Sequence, residues 1–281
     1  MKDLIQQRLD TYQSKTVEDE ENALKEITQE VALYALAESG FFQKASFQGG
    51  TCLRIIHGLD RYSEDLDFCL NAPDPNFNIA TYLDQATTLM NTYGYAIEIS
   101  GKDRADSSVQ MRFFKDDSIK LLLGLNHLSD VKKKIKIKIE IDTNPPAAAE
   151  IAPAFVDFPM DFSVNAHNIS TLFAGKCHAL LCREYTKGRD WYDLSWYAAQ
   201  KATVNFSYLS NALYQVGPWP NQEIDINAEW LQKQLLKKIE QVDWPAAVAD
   251  VFRFVPADKS LTLKLWSGEF FASRVKKIFA S

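Results

Sequence analysis

The 281-residue sequence predicts a mixed α/β fold of the α+β kind, with a sheet and flanking helices in the N-terminal part and an all-helical C-terminal part. Three observations carry that reading. Residues 132–142 read KKKIKIKIEID, so that Ile135, Ile137, Ile139 and Ile141 alternate with Lys136, Lys138, Glu140 and Asp142. A period of two sends the four isoleucines to one face of a strand and the four charges to the other. Residues 16–40 carry Ala23, Ile27, Val31 and Ala35 at steps of four, the repeat of a helix with a buried face. From Ser170 to the end the spacing is helical, and all six tryptophans lie beyond residue 190.

The elements follow in order. Thr16 with Asp19, inside the acidic run Glu18–Glu21, suits a helix N-terminus, and Gly40 suits its end. Gly49-Gly50-Thr51 is a turn opening a helix that runs to about His57, and a strand through Asp65-Leu66-Asp67 to Leu70 follows. Pro73 and Pro75 break the chain before a helix over 79–93. Tyr95–Ser100, Val109–Phe114 and Ile119–Leu125 read as strands, with Asp116-Asp117 as a hairpin turn between the last two. Asn144–Asn168 holds Pro145, Pro146, Pro153 and Pro159 and reads as the connection between a domain over 1–150 and a helical domain over 165–281. Trp244-Pro245 and Val255-Pro256 mark breaks, and the last helix is expected over Leu261–Phe279.

Composition bounds the function. No segment approaches eighteen uninterrupted apolar residues, and the start MKDLIQQRLDTYQ has no signal-peptide apolar region, so a cytoplasmic protein without a membrane span is expected. The four cysteines form no CxxC pair and no zinc spacing with the histidines, and are expected to be reduced packing residues. A net charge of −6 argues against nonspecific coating of nucleic acid. The charge is uneven, at −9 over residues 1–170 and +3 over residues 171–281, so the C-terminal part suits an anionic partner better.

The chemistry concentrates in FQGGTCLRIIHGLDRYSEDLDFCL, residues 47–70. A glycine turn opening a helix points backbone N–H groups at an anion, and the helix dipole favours it. Two aspartates at i and i+2 on a strand point the same way, about 6–7 Å apart, which suits a divalent cation shared by carboxylates. A phosphate cradle made by Gly49, Gly50 and Thr51, with the Thr51 hydroxyl adding a ligand, beside Asp65 and Asp67 reads as metal-assisted phosphoryl or nucleotidyl transfer. The bland reading is a turn and a solvated acidic strand end, which leaves unexplained why the acids sit between Leu66, Phe68 and Leu70.

The pattern GG[S/T], a spacer of about a dozen residues and DxD resembles the DNA polymerase β-like nucleotidyltransferases. Its form here, Arg61-Tyr62-Ser63-Glu64-Asp65-Leu66-Asp67, is similar to the AbiEii/MenT-type branch, the toxins of bacterial toxin–antitoxin and phage-defence systems. The likeness covers roughly residues 20–200. It implies a third metal-binding carboxylate from a neighbouring strand, Glu140 or Asp142. The family's KIEI segment favours Glu140, and the end position favours Asp142. Ser63 would border the active site, its hydroxyl either binding substrate or serving as a modification target, or it would be a turn-stabilising hydroxyl.

A second constellation lies in LFAGKCHALLCREYTKGRDWYDLSW, residues 172–196. Lys176, Leu180 and Arg183 share one helical face, and Asp190 and Asp193 share another beside Arg189. A helical hairpin with a surface ion-pair network would look alike. The stretch also resembles the family's downstream motif, which implies that Lys176 contacts the nucleotide phosphates, that Asp190 is a further active-site aspartate, and that Asp193 is a structural partner of Arg183 or Arg189. Arg54 is a further candidate for the phosphates.

The resemblance therefore implies a nucleotidyltransferase using Mg²⁺, or Mn²⁺ in its place, that moves a nucleotide from a nucleoside triphosphate to RNA, most concretely the 3′ end of tRNA. A cognate winged-helix antitoxin is the implied protein partner, and abortive infection the implied setting. The 132–138 lysines and the C-terminal tryptophans suit RNA contacts, although such residues more often form solvated faces and cores. Competing readings are transfer to a small molecule or a protein, and a non-catalytic nucleotide-binding protein.

Overall fold

The computed structural model describes residues 2–101, 107–128 and 134–279. The chain divides into two compact units. One holds Met1–Ile56, Tyr62–Pro145 and Ile151–Ala166, and the other holds His57–Arg61, Pro146–Glu150 and His167–Ser281.

The first unit opens with helices α1 (Lys2–Thr11) and α2 (Val17–Glu38). Thr16 caps α2, its hydroxyl accepting the Asp19 N–H at 3.1 Å, and three acidic residues occupy the positive first turn. Ala23, Ile27, Val31 and Ala35 are all buried, as the spacing predicts. Strand β1 (Ala45–Gln48) leads into α3 (Gly49–Ile55), and β2 (Asp65–Leu70) follows. Helix α4 (Ala80–Thr92) precedes β3 (Glu98–Ser100), β4 (Val109–Asp116), α5 (Ile119–Leu122), β5 (Ile135–Asp142), β6 (Ile151–Val156) and β7 (Phe162–His167).

One seven-stranded mixed sheet results, in the order β3-β4-β5-β2-β1-β7-β6. Strands β1 and β2 pair antiparallel, β2 and β5 parallel, β4 and β5 antiparallel, and β1 and β7 parallel. The four isoleucines of β5 are buried, and Phe47 and Phe68 add their rings at 5.4 Å, with Phe41 edge-on to Phe68 at 5.0 Å. Period-two burial on β2 and β5 thus builds the core under the sheet and leaves the charged positions on its other face.

Two segments differ from the sequence expectation. Ile119–Leu125 is no strand: Asp116 accepts the backbone N–H groups of Ser118 and Ile119 at 3.1 and 2.9 Å, starting a short helix instead of a hairpin turn. The proline-rich stretch 144–168 is not a bare connection, since it contains β6 and β7. Pro153 lies in β6, the sheet's outer strand, the kind of strand in which proline is found.

The second unit is helical, with α6 (Ile169–Cys182), α7 (Gly188–Gln200), α8 (Phe206–Gln215), α9 (Ala228–Ile239), α10 (Trp244–Phe252) and α11 (Gly268–Ile278). The last helix starts at Gly268 rather than Leu261, because Ser267 supplies its cap and Ser260–Leu265 forms a 3₁₀ turn. Pro245 sits in the first turn of α10, where its missing N–H is harmless. Trp244 stacks on Phe271 at 4.5 Å, with Trp191 edge-on to both rings; Trp191 is a core residue, and the half-buried Trp244 packs against it. Gly188 lets α7 approach α10: a Cβ there would run into the Ala247 carbonyl, and the Gly188 N–H donates to the Asp250 carboxylate at 2.8 Å. The four cysteines are free thiols, three of them buried. Among the described residues, no helix is long and apolar enough to cross a membrane.

His167, at the end of β7, is buried edge-on to Tyr208, and burial drops its imidazolium to about 4 from the ordinary 6.5. Its contribution to stability is complete above pH 6.5 and is lost as pH falls towards 4, because the unfolded chain takes up the proton first. The wild type should therefore lose about 3 kcal/mol between pH 7 and pH 4 relative to His167→Gln. Urea unfolding of both proteins across that range checks it.

Candidate active site

The glycine turn and the DxD strand meet directly. Gln48 lies opposite Asp67 in the β1–β2 register, and Gly49 follows with φ +79°, a left-handed conformation that glycine adopts freely. A Cβ at Gly49 would overlap the Asp67 carboxylate. Position 49 is thus restricted twice, by backbone conformation and by the closeness of that carboxylate. Gly50 is half-buried beside it, and the first N–H groups of α3 have no intrahelical partner. Thr51 departs from expectation. Its side chain is fully buried and its hydroxyl donates to the Asp65 carbonyl, which ties α3 to the start of β2. What the turn can offer phosphate is backbone N–H, rather than that hydroxyl's proton.

Asp65 and Asp67 are half-buried on one face of β2, with Leu66 and Phe68 buried on the other. The parallel pairing sets Glu140 opposite Asp67, Lys138 opposite Asp65, and Asp142 opposite Cys69. Glu140 therefore lies beside the DxD pair, and Asp142 lies two residues further along. The Glu140 carboxylate is 2.8 Å from Lys138 Nζ. Burial raises the Asp142 carboxyl above its ordinary value, against the pull of the Asn144 N–H it accepts at 2.9 Å. Among the described residues, no three His, Cys, Asp or Glu side chains converge in metal-binding geometry, Glu140 being turned to Lys138. In chemistry, the all-carboxylate set of Asp65, Asp67 and Glu140 is the hard oxygen donor set that Mg²⁺ and Mn²⁺ take.

Two other candidates have contacts of their own. The Ser63 carbonyl accepts the Gln29 amide at 3.1 Å. Arg54 pairs with Glu26 at 2.8 Å and lies over the Tyr62 ring, so it serves the packing of α2 and α3. Lys132 and Lys133 lie outside the described residues.

The helical unit holds a cluster of buried charge. Lys176 Nζ on α6 is 2.7 Å from Asp190 and 2.8 Å from Asp193, both on α7. Arg61 forks the Asp193 carboxylate with two hydrogen bonds of 2.7 Å, and both side chains are almost fully buried. Arg183 Nε stands 3.2 Å from Asp190. Burial alone would raise the Asp190 carboxyl, but the charges of Lys176 and Arg183 carry it below the ordinary value. Burial, then the like charges of Arg189 and Arg183, lowers the Lys187 ammonium to about 8.

The partner of Asp193 is thus Arg61, with Lys176, in place of the expected Arg183 or Arg189. Arg183 serves Asp190, and Arg189 lies over the Phe254 ring at 4.3 Å. Arg61 was missed as a site residue because its partner is 132 residues away, a separation that no local pattern reveals. Lys187, in the motif stretch, carried no helical-face signal because it precedes α7.

A family model for the nucleotidyl transferase AbiEii toxin of type IV toxin–antitoxin systems matches residues 31–273. The chain belongs to the AbiEii family. It is accordingly a nucleotidyltransferase of a toxin–antitoxin family, for which a nucleotide substrate and an antitoxin partner follow. Two Helicobacter pylori crystal structures are similar. JHP933 has 19% identity and a TM-score of 0.52, covering 90% of each chain. A protein provisionally described as a nucleotidyltransferase has 20% identity and a TM-score of 0.50, covering 88% of this chain and 90% of its own. At such identities the likeness bears on the fold alone. No curated protein matches the chain.

Removing Arg61 would leave Asp193 buried with Lys176 as its remaining cation. Arg61→Met should destabilise the AbiEii-family chain by about 3 kcal/mol. In a double-mutant cycle with Asp193→Asn, measured by denaturant unfolding, the two changes should be strongly non-additive.

Proposed function

We propose that this AbiEii-family enzyme transfers a nucleotide from a nucleoside triphosphate to an RNA acceptor, the 3′ end of tRNA, in a reaction dependent on Mg²⁺ or Mn²⁺. The observation that carries the reading is the register that sets Glu140 opposite Asp67, completing three carboxylates on one sheet face beside Gly49. Asp65, Asp67 and Glu140 would hold the divalent cation, with Asp142 outside the set. Bound there, the cation would neutralise the triphosphate and make the attacking hydroxyl more acidic.

The chain's own residues do the rest. The backbone N–H groups of Gly49, Gly50 and Thr51 hold phosphate oxygens, and Ser63 borders the nucleotide. Lys176 adds a point charge to the phosphates, and Asp190 orients that lysine through their 2.7 Å contact. Arg61, Lys176, Arg183 and Lys187 outnumber Asp190 and Asp193, a surplus of positive charge that favours an anion. The RNA hydroxyl attacks the α-phosphorus, the bond to the β-phosphate oxygen breaks, and pyrophosphate leaves. The activity stops translation in the cytoplasm, within an abortive-infection system restrained by a winged-helix antitoxin. We divide the labour between a nucleotidyltransferase domain over 1–150 and a helical domain over 165–281.

The test is incubation of purified protein with Mg²⁺, each α-labelled nucleoside triphosphate in turn, and total tRNA. Label should enter RNA with wild type and fall at least about 100-fold with Asp67→Ala or Glu140→Gln, while Asp142→Asn stays within about 10-fold. No transfer to RNA from any triphosphate would overturn the acceptor assignment, and equal loss from Glu140→Gln and Asp142→Asn would overturn the choice of Glu140. Gly49→Ala should also lower the transfer rate about 100-fold, because the added methyl displaces the Asp67 carboxylate. Far-ultraviolet circular dichroism would verify that Gly49→Ala keeps its secondary structure.

A further inference from the structure

The helical unit holds a cleft of about 240 Å³ that the nucleotidyl-transfer site does not use. Trp196 and Tyr192 from α7 and Trp266 and Phe270 from the α11 end line it, with Asp60 and Arg274 as its charged groups. Its volume is below that of a drug-sized pocket and suits one flat ring system. Trp266 is half-exposed and is held from behind by Val251, Val255 and Leu263, so its indole is a rigid platform. Tyr192 packs against it at 6.4 Å. Arg274 is held over the Phe270 ring at 4.9 Å, which keeps its guanidinium at the cleft. Between Lys259 and Lys277 there are five Lys and Arg residues against one acid, Glu269.

Aromatic walls and a fixed guanidinium, on a stretch of chain rich in basic residues, are a combination that binds single-stranded nucleic acid: bases stack on the rings, and the cation meets a phosphate. An apolar peptide side chain would make no use of the fixed guanidinium. We infer that this cleft takes one unstacked base of the RNA acceptor, with its phosphate against Arg274. The inference rests on the RNA reading above and adds to it a second point of attachment. Within the helical unit the cleft adjoins the buried charge cluster in sequence, since Asp60 precedes Arg61, and Arg61 grips Asp193, which falls between the cleft-lining Tyr192 and Ser195.

The test uses the full-length protein and two variants. Arg274→Ala removes the phosphate contact, and Ala199→Trp fills the cleft from an exposed position without removing a core side chain. Steady-state transfer is measured against total tRNA and against the nucleoside triphosphate, and anisotropy is measured with a fluorescein-labelled single-stranded RNA. Each variant should raise the KM for RNA and weaken oligonucleotide binding about 10-fold, with the KM for the triphosphate unmoved. Wild-type RNA transfer with an unaltered RNA KM in both variants would overturn the cleft assignment alone. Failure of the wild type to bind or label RNA would overturn the RNA acceptor, and this assignment with it.

Discussion

Because side chains on a strand alternate, β2 and β5 can bury Leu66, Phe68, Ile139 and Ile141 only by presenting Asp65, Asp67 and Glu140 on the opposite face. A slip of one residue would bury the carboxylates and expose the isoleucines. Transfer of one isoleucine side chain from water to the core is worth roughly 1.5–3 kcal/mol. Four of them on β5 therefore fix the register that places the carboxylates. The chemistry of this face is secured by the hydrophobic effect acting on its reverse side.

The helical unit solves a different problem, that of keeping charge buried. Asp193 is fully enclosed, and it is tolerable there because Arg61 satisfies it with a planar fork and Lys176 adds a third donor. Asp190 is held by Lys176 and Arg183. Lysine at 176 thus bridges both aspartates from one helix, which locks the angle between α6 and α7. Gly188 sets the companion distance from α7 to α10. Polar pairing and close backbone approach together orient α7.

Much of this was legible from residue order. The long helix α2 and strand β5 were readable because their periods run for many residues, and α2 also carries a matching cap. The glycine turn and the DxD pair were readable because both are local. Short apolar runs were not. Ile119–Leu125 has strand-like composition, and only the capping reach of Asp116 decides for helix. Strand β6 was hidden by Pro153, which an outer strand can carry, and β7 by the prolines that precede it in the same stretch. That Glu140 and not Asp142 pairs opposite Asp67 is a relation between two strands, which alternation within one strand does not contain. Arg61 and its aspartate were invisible for the same reason.

The proline in β6 has a bearing on self-association. An outer strand offers a row of N–H and C=O groups on which another chain could build. Pro153 removes one donor from β6, and the exposed Asp157 follows the strand directly. A second molecule adding itself edge to edge would meet a strand short of one donor and a carboxylate at its end. That rim therefore discourages fibre-like stacking of sheets, even when many copies accumulate at once.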